Sequence, residues 1–257
     1  MQIPVVRGLI ERRILANYRV DPEVLARHLP LGFRPKLHRG SAIAGICLIR
    51  LRGVRPWFLP AWLGIASENA AHRMAVEWGE GDDRRDGVYV LRRDTNSRFN
   101  ALAGGRIFPG IHSHAQFSVH ETSTRFEVAL RSDDGTTRVS VVGDLAARLP
   151  DSSIFRSLPE ASKFFQAGSL GYSATSDPDK LHGLELRCQE WRVEPLEIQQ
   201  VESTFFDDPN LFPPGSIQFD SALLMRNIVH EWHSQPDLCC GREVVVGELV
   251  SAVALSR

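Results

Sequence analysis

The chain has 257 residues, of which 43% are hydrophobic and 24% are charged. This composition is typical of a globular protein and excludes a disordered or fibrous one. Lysine and arginine total 30 and aspartate and glutamate total 31, so the net charge is −1. A nearly neutral chain has no broad basic field for a nucleic-acid backbone, and we expect no nucleic-acid partner.

The sequence also lacks the signals of an exported or membrane protein. Met1–Arg13 has no apolar signal-peptide core, and the longest apolar stretch, Ala42–Ile49, is far shorter than the roughly 20 residues that cross a bilayer. The four cysteines form no metal-type C-x-x-C pair. We therefore expect a reduced, soluble, cytoplasmic protein without a membrane partner, folded as a single domain over residues 1–257.

The first elements are a strand and a short helix. The strand is predicted over Ile10–Val20, and the helix begins with Asp21 as N-cap and Pro22 at its first position. Pro30 and Gly32 end this helix.

Period-two alternation and β-branched residues predict the strands that follow. They are Ala42–Arg52, Met74–Trp78, Val88–Arg93, His114–Glu121, Arg125–Ser132 and Arg138–Asp144. Asp133–Gly135 predicts a hairpin turn, and the charged run Asp82–Asp86 predicts a solvated hairpin loop.

The second half of the chain predicts one long strand-like stretch and few helices. The stretch is Leu184–Phe206, with Pro195 marking an edge or a bulge. Short helices are predicted over Asn100–Ile107 and Pro159–Phe165. Many strands and few helices indicate a mainly β protein of the α+β type, an antiparallel barrel or sandwich with short helices attached.

An apolar segment precedes the most interesting carboxylate. Arg55–Gly64 contains two tryptophans and two prolines, and is interpreted as a lid over the core, a subunit interface or a membrane-facing patch. Glu68 follows it within Ser67–Asn69. If buried, Glu68 would act as a general acid or base; a surface or salt-bridged glutamate is the alternative.

Histidines form the other candidate site. His112, His114 and His120 share a strand face by parity, which suits zinc or iron, although some 20 Å separates His120 from His114 on a regular strand. The alternative is a set of partly exposed or hydrogen-bonded histidines. His230–His233 is not a zinc-protease motif, because its histidines are three apart, and a polar terminal strand or turn is the simpler interpretation.

Several enzyme classes lack their motifs here. No G-x-S-x-G elbow, phosphate-binding loop or dinucleotide fingerprint occurs. The chain has only three lysines, so a mechanism with an amine nucleophile depends on Lys36, Lys163 or Lys180.

Several segments together resemble a known family. The run Asn17–Pro30 is similar to the opening of the YqjF-like family, a domain of unknown function distantly related to acetoacetate decarboxylase. Further similar segments are Gly45–Val54, Gly87–Tyr89, Asp94–Arg98, 105–108 leading into His112–Ala115, Gly171–Tyr172, Trp191 and Glu194–Leu196. The resemblance implies an acetoacetate decarboxylase-like antiparallel β cone or barrel that encloses a cavity.

The resemblance also implies where the site residues fall. In the decarboxylase, a lysine with a neighbouring lysine forms a Schiff base with a β-keto acid, assisted by a glutamate and an arginine. The lysine positions fall here on Ser113 and His114, the glutamate on Glu68 and the arginine on Glu11. Since serine and histidine cannot form an imine, decarboxylase activity itself is not expected. Arginines that could replace the missing one are Arg12, Arg19, Arg73 and Arg106.

We therefore favour a cavity enzyme that acts on a small keto or carboxylic molecule without a Schiff base. A lyase, hydratase, isomerase or cyclase step suits it, with Glu68 and His114 as acid and base and Ser113 or His112 polarising a carbonyl. The expected substrate-binding residues are Arg19, Asn69, His72 and Arg106.

Two other hypotheses stay open. The chain is either a non-catalytic small-molecule binding protein on the same fold, or a metal enzyme built on the strand histidines. In the favoured hypothesis no metal or other cofactor is expected. A homo-oligomer is expected from the apolar segment Arg55–Gly64.

Overall fold

A computed structural model of the protein describes residues 4–104, 109–177 and 179–239. Its strands are β1 (Val6–Val20), β2 (Arg34–Pro35), β3 (Leu37–His38), β4 (Ser41–Pro56), β5 (Ile65–Trp78), β6 (Arg85–Thr95), β7 (His112–Glu121), β8 (Arg125–Ser132), β9 (Arg138–Leu145), β10 (Leu170–Ala174), β11 (Lys180–Cys188), β12 (Glu194–Ser203) and β13 (Ile217–Cys239). Its α-helices are α1 (Pro22–Ala26), α2 (Arg98–Ala103) and α3 (Leu158–Ala167). Within these ranges, no helix is long and apolar enough to cross a membrane.

The local signals in the first half of the sequence place the elements well. Asp21 caps α1, its side chain accepting a hydrogen bond from the Glu23 amide at 2.8 Å. The helix ends at Ala26, earlier than predicted. Strand β8 has the predicted bounds, and the turn before β9 contains Gly135 at φ 72°, a conformation that favours glycine.

The second half differs from the sequence prediction. The stretch 184–206 forms two strands, because the chain leaves the sheet after Cys188 and re-enters it at Glu194. Strand β13 spans 23 residues, of which the sequence indicated only a terminal strand or turn around His230. Its alternation is interrupted at Asn227, which has φ 55°. Strand β13 pairs with β1, β11 and β12 and is therefore a central strand of the fold.

Strand pairing closes two rings. The first, the seven-stranded ring, runs β1-β4-β5-β6-β10-β11-β13 and back to β1. The second, the nine-stranded ring, runs β1-β4-β5-β6-β7-β8-β9-β12-β13 and back to β1. The expected cone of strands is present, but it is not wholly antiparallel. Strand β6 pairs in parallel with β10 at Val88–Val90 and with β7 at Arg93–Thr95, which is where the rings diverge.

Five strands, β1, β4, β5, β6 and β13, belong to both rings, and on β1, β4 and β5 alternate side chains face the two interiors. Residues such as Ile14, Ile46 and Met74 lie in the large core of the nine-stranded ring. Their neighbours Arg13, Cys47 and Arg73 face the opposite side and line a cavity. Helix α3 covers part of that opposite side, with Phe165 packed in the cluster that contains Cys47. A shift of one residue in register would exchange these two environments.

The apolar segment Arg55–Gly64 lies at the turn between β4 and β5. It is not part of the core, since Trp57 is 55% exposed and Trp62 is 80% exposed. Val54 and Ile65, which flank the segment, both line the cavity. The segment therefore projects from the cavity wall into solvent.

Buried histidines make the fold sensitive to acid. Burial, with a smaller contribution from the Arg92 charge, lowers the pKa of His72 to about 4, and burial likewise lowers the pKa of His230 to about 4. The unfolded chain therefore binds protons between about pH 6.5 and pH 4 that the native state does not bind. The free energy of unfolding should fall as the pH drops through this window, by up to about 1.4 kcal/mol per pH unit for each histidine.

We expect His72→Phe to reduce this pH dependence by about one proton, because the substitution removes the titrating imidazole. Phenylalanine should fit the site, since the His72 ring contacts Phe205 and Phe206. Urea unfolding at several pH values between 7 and 4.5 measures the slope. His120→Gln, at an exposed position, is the matched control. Equal slopes for His72→Phe and the wild type would contradict the assignment.

Candidate functional site

A cavity of about 160 Å³ lies inside the seven-stranded ring, and every strand of that ring contributes to its lining. Its apolar wall includes Leu51, Val90, Leu184 and Trp232. Its polar lining residues are Arg13, Cys47, Ser67, Asn69, Arg73, Arg93, Asp94, Asn100, His112 and Ser169. Strand β5 supplies every second residue from Ile65 to Arg73, as expected for one face of a strand.

Three arginines dominate the polar part of this cavity. Arg13 donates from Nε to the Sγ of Cys47 at 3.3 Å and from Nη1 to the Sδ of Met225 at 3.8 Å. Arg73 donates to the side-chain oxygen of Asn17 and lies 5.0 Å from the ring centre of Phe165. All of these acceptors are uncharged in their ordinary states, and the two sulfur atoms are weak acceptors.

Arg93 completes the set, donating from Nε and Nη2 to the hydroxyl of Ser173 at 3.1 and 2.9 Å. Burial lowers the pKa of Arg73 and of Arg93 to about 10, so both guanidinium groups stay protonated at neutral pH. In the described part of the chain, Arg13, Arg73 and Arg93 form no ion pair with a carboxylate. Buried cations without a counter-ion are unfavourable, and this arrangement favours an anionic ligand.

His112 provides the imidazole of the cavity. Burial, and then the charge of Arg93, lowers the pKa of His112 to about 4, so the ring is neutral at pH 7. Its Nδ1 lies 3.1 Å from the carbonyl oxygen of Gly110. Since a carbonyl oxygen only accepts, Nδ1 carries the proton and Nε2 is left as an acceptor. Gly104 makes room for the ring, because a Cβ there would lie 2.7 Å from Nδ1.

None of the three lysines, all of which lie in the described ranges, lines the cavity. Lys36 forms an ion pair with Asp86, and Lys180 pairs with Asp237 at 3.0 Å on the surface. Lys163 is exposed on α3. Since these are all the lysines of the chain, no lysine side chain is placed to form an imine with a molecule in this cavity.

Glu68 faces the nine-stranded ring rather than the cavity. It is 8% exposed and forms ion pairs with Arg12 and Arg50. Both arginines also bind Glu121, at 2.6 Å from Arg12 and 3.0 Å from Arg50. These four side chains, the Arg/Glu network, balance two positive with two negative charges. The salt-bridged alternative for Glu68 is therefore the one that the structure shows, and its expected catalytic role has no support from this geometry.

The remaining candidates are divided among several places. Asn69 lines the cavity and donates to the hydroxyl of Ser67 at 2.9 Å. Ser113 and His72 instead line a second cavity of about 450 Å³. Arg92 also lines that second cavity, but it is neutralised by Asp94 and Asp134.

His114 and Arg19 contact neither cavity. His114 lies 2.7 Å from the carboxylate of Asp133, and Arg19 donates to Gln218 at the edge of β13. Arg106 lies outside the described residues. The strand histidines do not converge, and the described ranges contain no group of three His, Cys, Asp or Glu side chains arranged to hold a metal ion.

Sequence reasoning missed Arg13, Cys47 and Arg93 and named Arg73 only as one substitute among four arginines. The signal that could have found Arg13 and Cys47 is parity. Both lie at odd-numbered positions of long strands, as do Asn69 and Arg73. Since the resemblance implies a fold that encloses a cavity, one face of these strands is expected to line it, and parity could have assigned Arg13 and Cys47 to that face.

Comparison with known proteins fits this architecture. The model of the family DUF2071, described as "Uncharacterized conserved protein", matches residues 10–222. The chain belongs to the DUF2071 family. This confirms the resemblance drawn from Asn17–Pro30 and the later segments. No curated protein is significantly similar to this chain.

Solved structures show the same fold at low sequence identity. Acetoacetate decarboxylase from Legionella pneumophila subsp. pneumophila str. Philadelphia 1 is 11% identical with a TM-score of 0.58, covering 91% of this chain and 88% of that chain. An acetoacetate decarboxylase-like enzyme from Sphingomonas wittichii RW1 is 11% identical with a TM-score of 0.57, covering 93% of both chains. The enduracididine biosynthesis enzyme MppR, complexed with pyruvate, is 15% identical with a TM-score of 0.56, covering 94% of this chain and 91% of that chain.

The Arg/Glu network predicts that Glu68 contributes to stability. Glu68→Gln leaves Arg12 and Arg50 with a single carboxylate, that of Glu121, and should lower the free energy of unfolding by about 3 kcal/mol, because breaking a buried ion pair is costly. Urea denaturation measures the change.

The exposed pair Arg148–Asp151 supplies the control, since Asp151→Asn should have no measurable effect on the same transition. A Glu68→Gln protein as stable as the wild type would show that the network contributes little.

Proposed function

We propose that the seven-stranded ring binds a small keto or carboxylic molecule and acts on it by acid–base chemistry without an imine. The observation that carries this proposal is the meeting of Arg13, Arg73 and Arg93 with a neutral His112 in one cavity. The arginines bind the carboxylate of the ligand, and His112 accepts a proton.

The size of the cavity supports a small ligand. An apolar cavity of about 150 Å³ holds a molecule the size of benzene, which has six non-hydrogen atoms. A volume of about 160 Å³ therefore suits a ligand of about that size, such as a three-carbon 2-oxo acid.

The chemistry of the lining supports proton removal next to a carbonyl group. A neutral imidazole is a competent general base at pH 7, and His112 is held in the tautomer that leaves Nε2 free to accept. Guanidinium groups stabilise the negative charge that develops on the carbonyl oxygen as the proton leaves. Proton removal by the imidazole and charge stabilisation by the guanidinium groups suit a lyase or isomerase step, and neither role needs an amine.

Structural neighbours support the ligand class. MppR has been solved in complex with pyruvate and in complex with the condensation product of pyruvate and imidazole 4-carboxaldehyde. The same fold therefore accommodates a small 2-oxo acid in at least one protein. Our proposal carries the ligand class to this chain and not the covalent chemistry of any relative.

A non-catalytic binding protein is the second candidate. It is favoured by the positions of Glu68 and Ser113, which lie outside the lining of this cavity. Among the described residues of the lining, His112 is then the one imidazole, and the carboxylate of Asp94 is held in an ion pair with Arg92. Binding without turnover would then be the function.

The acid–base proposal predicts hydrogen exchange. In D₂O the protein should exchange the methyl protons of pyruvate, and His112→Gln should reduce the rate at least 100-fold while pyruvate still binds. Proton NMR measures the exchange, and a thermal shift measures the binding. The wild-type rate should fall as the pH drops through about 4, because His112 becomes protonated there.

His120→Gln is the matched control, since this exposed histidine lies outside the cavity. Binding of pyruvate without exchange by the wild type would establish the binding-protein alternative. A protein that neither binds nor exchanges pyruvate would overturn the proposal for this ligand.

The placement of the lysines predicts the outcome of imine trapping. Incubation with pyruvate and borohydride should leave Lys36, Lys163 and Lys180 unmodified, because none of them lines the cavity. Intact-protein mass spectrometry followed by peptide mapping measures the result. A stoichiometric reduced adduct on any one of these lysines would refute the non-imine mechanism.

A further inference from the structure

The cavity holds more positive charge than a ligand with one carboxylate can neutralise. Arg13, Arg73 and Arg93 each carry a full charge at neutral pH and make no carboxylate contact in the described ranges. Arg73 is 6% exposed, and its Nε is buried without a hydrogen-bond partner there. An unpaired buried donor of this kind calls for an acceptor that the protein itself does not supply.

The other ionisable groups of the lining do not balance this charge. Asp94 is fully buried, and its carboxylate accepts from Nε and Nη2 of Arg92. His112 is neutral at pH 7. Cys47 accepts a hydrogen bond from Arg13 through its sulfur atom, which is a weak acceptor. At least two of the three positive charges therefore remain without a counter-ion, even when the charge of Asp94 is counted against one of them.

The number of unused hydrogen-bond donors in the lining also indicates two anionic groups on the ligand. Three guanidinium groups carry about fifteen N–H donors. Five of these bonds go to Cys47, Met225, Asn17 and Ser173. About ten donors are left, whereas one carboxylate offers about four lone-pair sites and two offer about eight.

We propose that the natural ligand of this cavity is a dianion, specifically a dicarboxylate of three or four carbons. The inference rests on the proposed function and narrows its substrate class. One carboxylate alone would leave at least one guanidinium group of the lining without a counter-ion, and a second carboxylate supplies that counter-ion. A dicarboxylate of this length has about seven to nine non-hydrogen atoms, close to the size that the cavity suits.

Two ligands of nearly the same shape test the proposal. Malonate carries two carboxylates, and malonamate replaces one of them with an uncharged amide. Isothermal titration calorimetry at pH 7.5 and low salt should show malonate binding at least ten-fold more tightly than malonamate, because charge-assisted hydrogen bonds are about twice as strong as neutral ones.

Variants connect the preference to the arginines. In Arg93→Gln the malonate-to-malonamate ratio should fall at least three-fold from its wild-type value, because one of the three guanidinium groups that the two carboxylates share is lost. Arg13→Gln makes the same comparison at another half-buried position and serves if Arg93→Gln fails to fold. Arg138→Gln removes an exposed arginine outside the cavity and should keep the wild-type ratio.

The outcomes separate this inference from the proposed function. Equal affinities for malonate and malonamate, with pyruvate binding as tightly as either, would overturn the dianion assignment and leave the proposed function standing. A ratio that survives both cavity variants would also overturn it. Failure of malonate, malonamate and pyruvate to bind at all would overturn both.

Discussion

The alternation of side chains along shared strands underlies the whole structure. Strands β1, β4 and β5 belong to two rings at once, so each residue step moves a side chain from one interior to the other. On β5, Glu68 and His72 enter the nine-stranded ring, whereas Asn69 and Arg73 enter the cavity of the seven-stranded ring. The two interiors can therefore differ in chemistry although a single layer of β-sheet separates them.

Charge is treated differently on the two sides of this wall. In the nine-stranded ring, Arg12 and Arg50 are neutralised by Glu68 and Glu121. On the cavity side, Arg13 is adjacent in sequence to Arg12 but donates to sulfur atoms. Desolvated cations destabilise a folded protein unless an anion compensates them. The difference supports a structural role for the network and a binding role for the cavity arginines.

The comparison with decarboxylase-like structures shows the fold alone. The chemistry has to be inferred from the residues that line the cavity. A Schiff base supplies an electron sink through a lysine, and the lysines here lie elsewhere: Lys36 pairs with Asp86, Lys180 pairs with Asp237 and Lys163 faces solvent. The cavity offers guanidinium groups and a neutral imidazole instead. These groups suit the binding of carboxylates and the stabilisation of an enolate oxygen, which is how we interpret the site.

The sequence by itself determined the β-rich class, the capped start of α1, the bounds of β8 and the family, because these depend on local propensity and on short motifs such as Asn17–Pro30. It also determined that only three lysines are available for imine chemistry. Tertiary structure alone decided the ring closure, since the pairing of β11 with β13 joins residues that are far apart in the chain. It likewise decided that Glu68 faces an ion-pair network and that Arg93 and His112 face the cavity. One strand can present either face to a core, and only the partners brought together by folding determine which face meets which partner.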